Sequence, residues 1–309
     1  MKVNLAAVDI GSNGARLLIK SFEEAGASSV NIGKVYFTRI PLRLGKDVFT
    51  LGKISKEKQF EMSHMLRAFV HLMRLYRVES YRACATSAMR DAENGAKIVE
   101  RLQKKNGITL EIIRGEEEAS LLYNNMIEKT DAGVGNFAYI DVGGGSTEIS
   151  VLHDGILAES HSYNVGTLRL LSDRVPPETI ERMLGDMKRV AERYSGMRIV
   201  GSGGNINKLA KLANTGKIHK EVRVDALREL RDQLKSLSIC ERMEKFGLRE
   251  DRADVIVPAA EIFLAIASTY GCQTIVVPNI SLADSIVDGL YRTRKAALSA
   301  AEGNKDRRS

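Results

Sequence analysis

The stretch Phe137-Ala138-Tyr139-Ile140-Asp141-Val142-Gly143-Gly144-Gly145-Ser146-Thr147-Glu148-Ile149-Ser150-Val151 decides the fold, because the chain has already used its pattern once. An apolar run ends in Asp141, a Gly/Ser turn follows, and a second apolar run begins. At the N-terminus residues 3–8 lead into Asp9-Ile10-Gly11-Ser12-Asn13-Gly14 and then Leu17-Leu18-Ile19, with the aspartates 132 positions apart. Glycine has no Cβ, so phosphate can approach the backbone closely and several N–H groups can converge on it. Two such loops face to face would clamp an anionic chain while their carboxylates hold a hard cation, which is the frame of a phosphoryl-transfer site. An uninterrupted Gly143-Gly144-Gly145 has little purpose in folding alone, since glycine costs about 0.5–1 kcal/mol against alanine within regular structure.

Working outward, residues 3–8, 15–22 and 30–39 read as three strands. Residues 55–76 carry Met62, Leu66, Phe69, Met73 and Tyr76 at helical spacing, with Ser55 as N-cap. A strand is expected over 81–85, a helix over 93–106 stopped by Gly107, a strand over 108–113 and a helix over 116–128. The second half restarts with strands at 137–142, 147–152 and 156–163, the last two joined by the turn His153-Asp154-Gly155. Helices follow at 177–194, 206–213, 225–234, 254–270 and 281–295, with strands at 198–201 and 274–277. One plan runs twice, so two domains are expected, 1–130 and 131–309, with a boundary and a hinge near 130–136.

Composition sets limits. Of 309 residues, 44% are hydrophobic and 28% charged, ordinary for a globular protein. No apolar stretch approaches the ~18–20 residues of a membrane span, and no signal-peptide pattern opens the chain, so a cytoplasmic protein without a membrane partner is expected. Three cysteines, Cys84, Cys240 and Cys272, lack metal-type spacing and fit a reducing compartment. The five histidines show no zinc pattern. The net charge of +7 favours polyanionic partners, although part of it sits in the solvated tail of Arg292, Arg294, Lys295, Lys305, Arg307 and Arg308. With 6% aromatics and no Trp, a base-stacking surface is disfavoured, so no nucleic-acid partner is expected.

Repeated strand-Asp-Gly hairpins in two α/β halves are the layout of two actin-like ATPase (ribonuclease H-like) domains with an interdomain cleft. The chain resembles the short, two-domain form of the exopolyphosphatase / guanosine pentaphosphate phosphohydrolase (Ppx/GppA) family. Six segments carry the resemblance in order: Asp9 to Asn13 with Arg16; Ala85-Thr86-Ser87-Ala88-Met89-Arg90-Asp91-Ala92-Glu93-Asn94; Gly115-Glu116-Glu117-Glu118-Ala119; Asp141 to Glu148; Gly201-Ser202-Gly203-Gly204; and Arg252-Ala253-Asp254. Longer members carry extra C-terminal domains, which are not expected within these 309 residues. Three positions depart from the family's usual residues: Gly14 stands for a Ser or Thr, Asn205 for a Thr, and Ala259 for a Gly. Leu282-Ala283-Asp284 stands where a Gly-Leu-Arg type run is common.

The resemblance implies Glu118 as the catalytic base, with Glu117 supporting it or the helix end. A carboxylate suits the orientation of water and the acceptance of its proton. The resemblance also assigns Arg90 to phosphate, in keeping with the bidentate habit of guanidinium. Asp141, Glu148 and Asp9 form the expected Mg²⁺ side, because Mg²⁺ takes one or two carboxylates with waters and phosphate oxygens. Asn13, Arg16, Gly143, Gly144, Gly145, Ser146 and Thr147 are expected to contact phosphate. The expected activity is release of orthophosphate from inorganic polyphosphate, or alternatively from guanosine pentaphosphate. A kinase of the actin-like superfamily and a non-catalytic polyphosphate or alarmone sensor are the other readings. Relatives are often dimers, which makes a homodimer an expectation of the resemblance.

Overall fold

The computed structural model describes residues 2–24, 29–129, 134–214 and 220–306. Residues 130–133, where the domain boundary and hinge were expected, lie outside them. The first sheet begins with β1 (Lys2–Ile10), β2 (Ala15–Glu24) and β3 (Val30–Ile40), an antiparallel meander. After α1 (Leu44–Leu51) and α2 (Lys56–Leu75) the chain returns as β4 (Ser80–Ala85), parallel to β1. Helices α3 (Ser87–Asp91) and α4 (Gly95–Asn106), the short β5 (Glu111–Ile112) and α5 (Gly115–Lys129) follow, giving the strand order β3-β2-β1-β4-β5. Ser55 caps α2 by accepting from the Lys58 N–H at 3.2 Å, and Gly107 ends α4 with φ 64°. The strand expected over 108–113 is reduced to two residues. Ile108 and Leu110 turn into the core instead, and the Thr109 N–H is satisfied by the Tyr81 hydroxyl at 3.0 Å.

The second sheet repeats the scheme with β6 (Asn136–Val142), β7 (Thr147–His153) and β8 (Ile156–Tyr163). Asp154 and Gly155, at φ 47° and 75°, form a two-residue turn of the type that matches strand twist. Then come α6 (Thr167–Leu171), α7 (Pro177–Arg193), β9 (Arg198–Ser202), α8 (Gly204–Ala213), β10 (Glu221–Arg223), α9 (Val224–Lys235), α10 (Ile239–Phe246), α11 (Glu250–Ala253), α12 (Ile256–Tyr270), β11 (Thr274–Val276) and α13 (Leu282–Asp306). The order is β10-β11-β9-β6-β7-β8. α12 is apolar all round because it is the central helix of this half, with Ile256, Ala260, Phe263 and Ile266 fully buried.

Each sheet has its own core on one face. A third core joins them: Leu5, Ala7 and Leu18 of the first sheet and Tyr139, Leu152 and Val200 of the second close over Leu122 of α5 and Ile286 and Val287 of α13. α5, first-half in sequence, packs on β7 and β8, while α13 packs back on β1, β2 and β4. The exchange ties the halves together beneath the paired hairpins and fixes how closely those hairpins approach.

Candidate active site

The two hairpins are the same object. In the first, Asp9 pairs with Arg16 across the strands and the Gly11 N–H donates to the Gly14 carbonyl at 3.1 Å. In the second, Asp141 pairs with Glu148 and the Gly143 N–H donates to the Ser146 carbonyl at 2.9 Å. Each turn is buttressed by the helix that follows its meander. The Gly45 N–H of α1 donates to the Ser12 carbonyl at 2.8 Å, and the Leu168 N–H of α6 to the Gly144 carbonyl at 2.8 Å.

The turns meet tip to tip. A Cβ on Gly144 would lie 2.9 Å from the Ser12 Cβ; one on Gly145 would lie 2.5 Å from the Ser87 Oγ and 2.8 Å from the Ser12 Oγ. The triple glycine is therefore explained by close approach of two loops, and on the first-half side of the join Ser12 and Ser87 hydrogen-bond to each other at 2.7 Å. Around the rim, Arg169 pairs with Asp91 and lies over the Phe49 ring, Arg43 pairs with Asp254, Arg39 pairs with Asp251 at 2.5 Å, and the Asn13 amide donates to the Asp251 carbonyl at 2.9 Å. This is a closed cleft, and the cavity left at its heart is about 70 Å³.

Asp9, Asn13, Arg16, Glu118, Asp141, Gly143, Gly144 and Ser146 line that cavity, as the sequence leads one to expect. Glu148 lies just behind it, accepting from the Ser162 hydroxyl at 2.9 Å. Three expected residues are placed otherwise. Thr147 is fully buried and donates to the Val165 carbonyl at 2.5 Å, so its hydroxyl holds the hairpin. Gly145 is committed to the loop–loop contact. Glu117 does not join the site at all: it is exposed on the outer face of α5 and bonded to Arg82 at 2.5 Å. Neighbouring helical residues point about 100° apart, so of two adjacent glutamates only one can enter the cleft.

Glu118 is the one that enters. It is 7% exposed, its Oε2 has no hydrogen-bond partner, and the nearest cation is the Arg90 guanidinium at 3.9 Å. Arg90 is itself oriented by donating to the Ile113 carbonyl at 2.9 Å. Burial, then the negative charges of Glu148, Asp141 and Asp9, push the Glu118 carboxyl well above the usual range, against the pull of Arg90. Burial likewise raises Asp141 to about 6 and Glu148, with Asp141 beside it, to about 7. In the first hairpin, by contrast, Asp9 forms an ion pair with Arg16, whose charge is held despite burial by Asp9.

A cation fits this arrangement on one side only. Among the described residues no three acidic, His or Cys side chains converge as a ready-made metal centre. Asp141 and Glu148 nevertheless share one face of the sheet as a carboxylate pair with no direct ion pair among the described residues, the donor set that Mg²⁺ would complete with water and phosphate oxygens. Asp9 is already neutralised. Gly203 closes this side at φ 92°, where a Cβ would run into the Asp141 carboxylate.

Basic residues that sequence reading missed form the other side. Beyond Arg16 a second cavity of about 440 Å³ is lined by Lys34, Arg39, Lys208, Lys211 and Arg252, with Arg252 donating to the Gly204 carbonyl. Burial and the nearby charges of Arg39 and Arg16 lower Arg252 to about 10. Arg39 faces Arg16 in the strand register, a signal available once β2 and β3 are paired; Arg252 stands in one of the segments that carry the family resemblance, with no role assigned to it there, and Lys208 carries no signal.

The fold and the clustered cations define a two-domain α/β phosphate site. The chain belongs to the Ppx/GppA phosphatase family, whose model matches residues 23–292. It is 26% identical to exopolyphosphatase 1 of Mycobacterium tuberculosis over 277 residues, 84% of this chain and 79% of that one. It is also 26% identical over 298 residues to the guanosine-5'-triphosphate,3'-diphosphate pyrophosphatase of Aeromonas hydrophila, covering 92% of this chain but 59% of the relative. The fold matches an exopolyphosphatase from Cytophaga hutchinsonii with TM-score 0.81 at 22% identity, over 93% of this chain and 97% of that one. A Ppx/GppA family member from Aquifex aeolicus matches with TM-score 0.75 at 23% identity, over 95% and 99%.

Proposed function

We propose that the chain is a Mg²⁺-dependent exopolyphosphatase that hydrolyses the terminal phosphoanhydride of inorganic polyphosphate. The observation that carries the reading is the buried Glu118 carboxylate, with an unpartnered oxygen, in a cleft built by two phosphate loops. Asp141 and Glu148 are the residues that would hold Mg²⁺. When bound, the ion supplies charge neutralisation at the phosphoryl oxygens.

The chain's own residues divide the remaining work. Glu118 Oε2 accepts a proton from water as the water oxygen bonds to the terminal phosphorus. The bridging P–O bond breaks, its electron pair stays with the shortened chain, and orthophosphate is released. Arg90 steadies the charge beside Glu118, while backbone N–H groups around Gly144 and Ser146 orient the terminal phosphate. The hairpins differ in charge at one position, Arg16 opposite Asp9 against Glu148 opposite Asp141, and this polarity sets a direction. The reacting end lies toward Glu148, and the leaving chain passes Arg16 into the cavity of Arg39, Lys208 and Arg252.

That cavity's size favours one second reading. About 440 Å³ is in the range of small-molecule pockets and accepts a nucleoside, so guanosine pentaphosphate is the alternative substrate. Orthophosphate release from polyphosphate and from guanosine pentaphosphate, measured side by side with Mg²⁺, tests the two. Turnover of the nucleotide alone replaces the first reading by the second; binding of either without turnover across metals replaces both by a sensor. A cytoplasmic location, the absence of nucleic-acid and membrane partners, and a homodimer complete the proposal, the first supported by three unpaired cysteines.

A further inference from the structure

Away from the cleft, α2 and α4 lie side by side around a concavity of about 530 Å³, and a shallow one of about 430 Å³ on α4 adjoins it through Arg101 and Lys105. Together they form one groove lined by six cations, Lys53, Lys56, Lys97, Arg101, Lys104 and Lys105, and by a single acid, Glu100. It shares no lining residue with the cleft or with the Arg252 cavity.

All six cations are exposed, and among the described residues none of the five lysines forms an ion pair. Arg101 is turned toward Gln59, a neutral partner. Lys104 and Lys105, in the last turn of α4, suit the negative end of a helix, which is explanation enough for those two. The others have no such account. Lys56 is the first residue of α2, Lys53 precedes its cap, and Lys97 lies in the first turn of α4, where the helix dipole disfavours cations. Lys97 and Arg101, then Arg101 and Lys105, are like charges at i,i+4, which repel. Local structure opposes this arrangement, and among the described residues Glu100 is the one acid in the lining to offset it. A linear polyanion laid along the groove does.

We propose that the α2–α4 groove is a second binding site for inorganic polyphosphate, anchoring a distant part of a chain whose end is processed in the cleft. The proposal rests on the polyphosphate reading above. Occupation of the groove by one part of a long chain raises the effective concentration of its end at the cleft, an advantage a chain of three phosphates does not have.

The test separates binding from turnover. A variant with Lys53, Lys56, Lys97, Arg101 and Lys105 all changed to Gln is compared with the parent protein, each also prepared with Glu118→Gln for equilibrium binding of fluorescently labelled long-chain polyphosphate. The groove variant is expected to lose about tenfold or more in affinity, with a shallower salt dependence. With Glu118 intact, it should keep its kcat on tripolyphosphate, which shows that it folds, and raise KM for the long chain only. Unchanged long-chain affinity, or equal losses on long and short substrates, overturns the groove. Groove-dependent binding of a single-stranded RNA of equal charge, without binding of polyphosphate, also overturns it. Groove-dependent binding of polyphosphate by a parent protein that does not hydrolyse it would leave the groove standing and remove the exopolyphosphatase reading.

Discussion

Replacing Gly145 by alanine asks whether the two loops act only when they touch. A Cβ at that position lies 2.5 Å from the Ser87 Oγ, 2.8 Å from the Phe49 Cζ and 2.8 Å from the Ser12 Oγ. Ordinary contacts begin near 3.4 Å, so these neighbours, all from the first half, must retreat by roughly 0.6–0.9 Å, a displacement of the size that overpacking forces on a filled core. Gly145 is not among the positive-φ glycines, so backbone strain adds nothing. A misplacement of about 1 Å at a reacting centre costs on the order of 10²-fold. The expected outcome is a fall in kcat/KM for tripolyphosphate of roughly 30- to 100-fold, with a stability loss of about 1–3 kcal/mol. Adding Ser87→Gly removes the nearest obstacle and should restore part of the activity, because Phe49 and Ser12 still intrude. Gly185→Ala is the control: no atom lies within 4 Å of its Cβ, and in α7 the change should stabilise by about 0.5–1 kcal/mol. Orthophosphate release and thermal unfolding report both quantities. Activity of the Gly145 variant within about threefold of the parent would refute the argument from loop contact.

Other perturbations address the remaining parts. Glu117→Ala should leave kcat within about twofold of the parent and stability within about 0.5 kcal/mol, because it removes only a surface pair with Arg82; a large loss of kcat would return Glu117 to the site. Lys20→Met takes the ammonium away from Asp284 and Asp288, each 2.9 Å from it where α13 crosses β2, and should cost about 3–5 kcal/mol in denaturant unfolding; a loss below 1 kcal/mol would contradict a buried lock. Asp141 and Glu148, raised to about 6 and 7, bind protons in the folded protein that the unfolded chain releases nearer pH 4, so without metal stability should fall as pH rises from about 4 toward 7. For the same reason Mg²⁺ held by this pair would compete with protons, and its apparent affinity should weaken roughly tenfold from pH 7 to 6, seen by calorimetry; a flat profile would place the ion elsewhere.

What the sequence made legible was local. The hairpins at Asp9 and Asp141 could be read because strand, turn and strand are contiguous, and the Ser55 cap and the Asp154-Gly155 turn were legible for the same reason. The resemblance picks Glu118 from three adjacent glutamates with Glu117 as its support, and helix phase, unknown until α5 is packed on β7 and β8, turns Glu117 away from it. The short helices α1 and α6 lack enough turns to show a period, yet they buttress both loops. Arg39, Lys208 and Arg252 converge from three segments, so no window of sequence contains their pocket. Thr147 resembled a phosphate donor because its motif is rich in donors, whereas burial gives its hydroxyl to Val165.

In the proposed reaction the buried Glu118 carboxylate accepts the proton of the attacking water. Glu118→Gln keeps shape and hydrogen-bonding capacity but removes the base. With Mg²⁺ present, Kd for tripolyphosphate should change by less than about threefold while single-turnover orthophosphate release falls by about 10²- to 10⁴-fold. Release at the parental rate with binding intact would contradict the assignment and place the base elsewhere in the cleft.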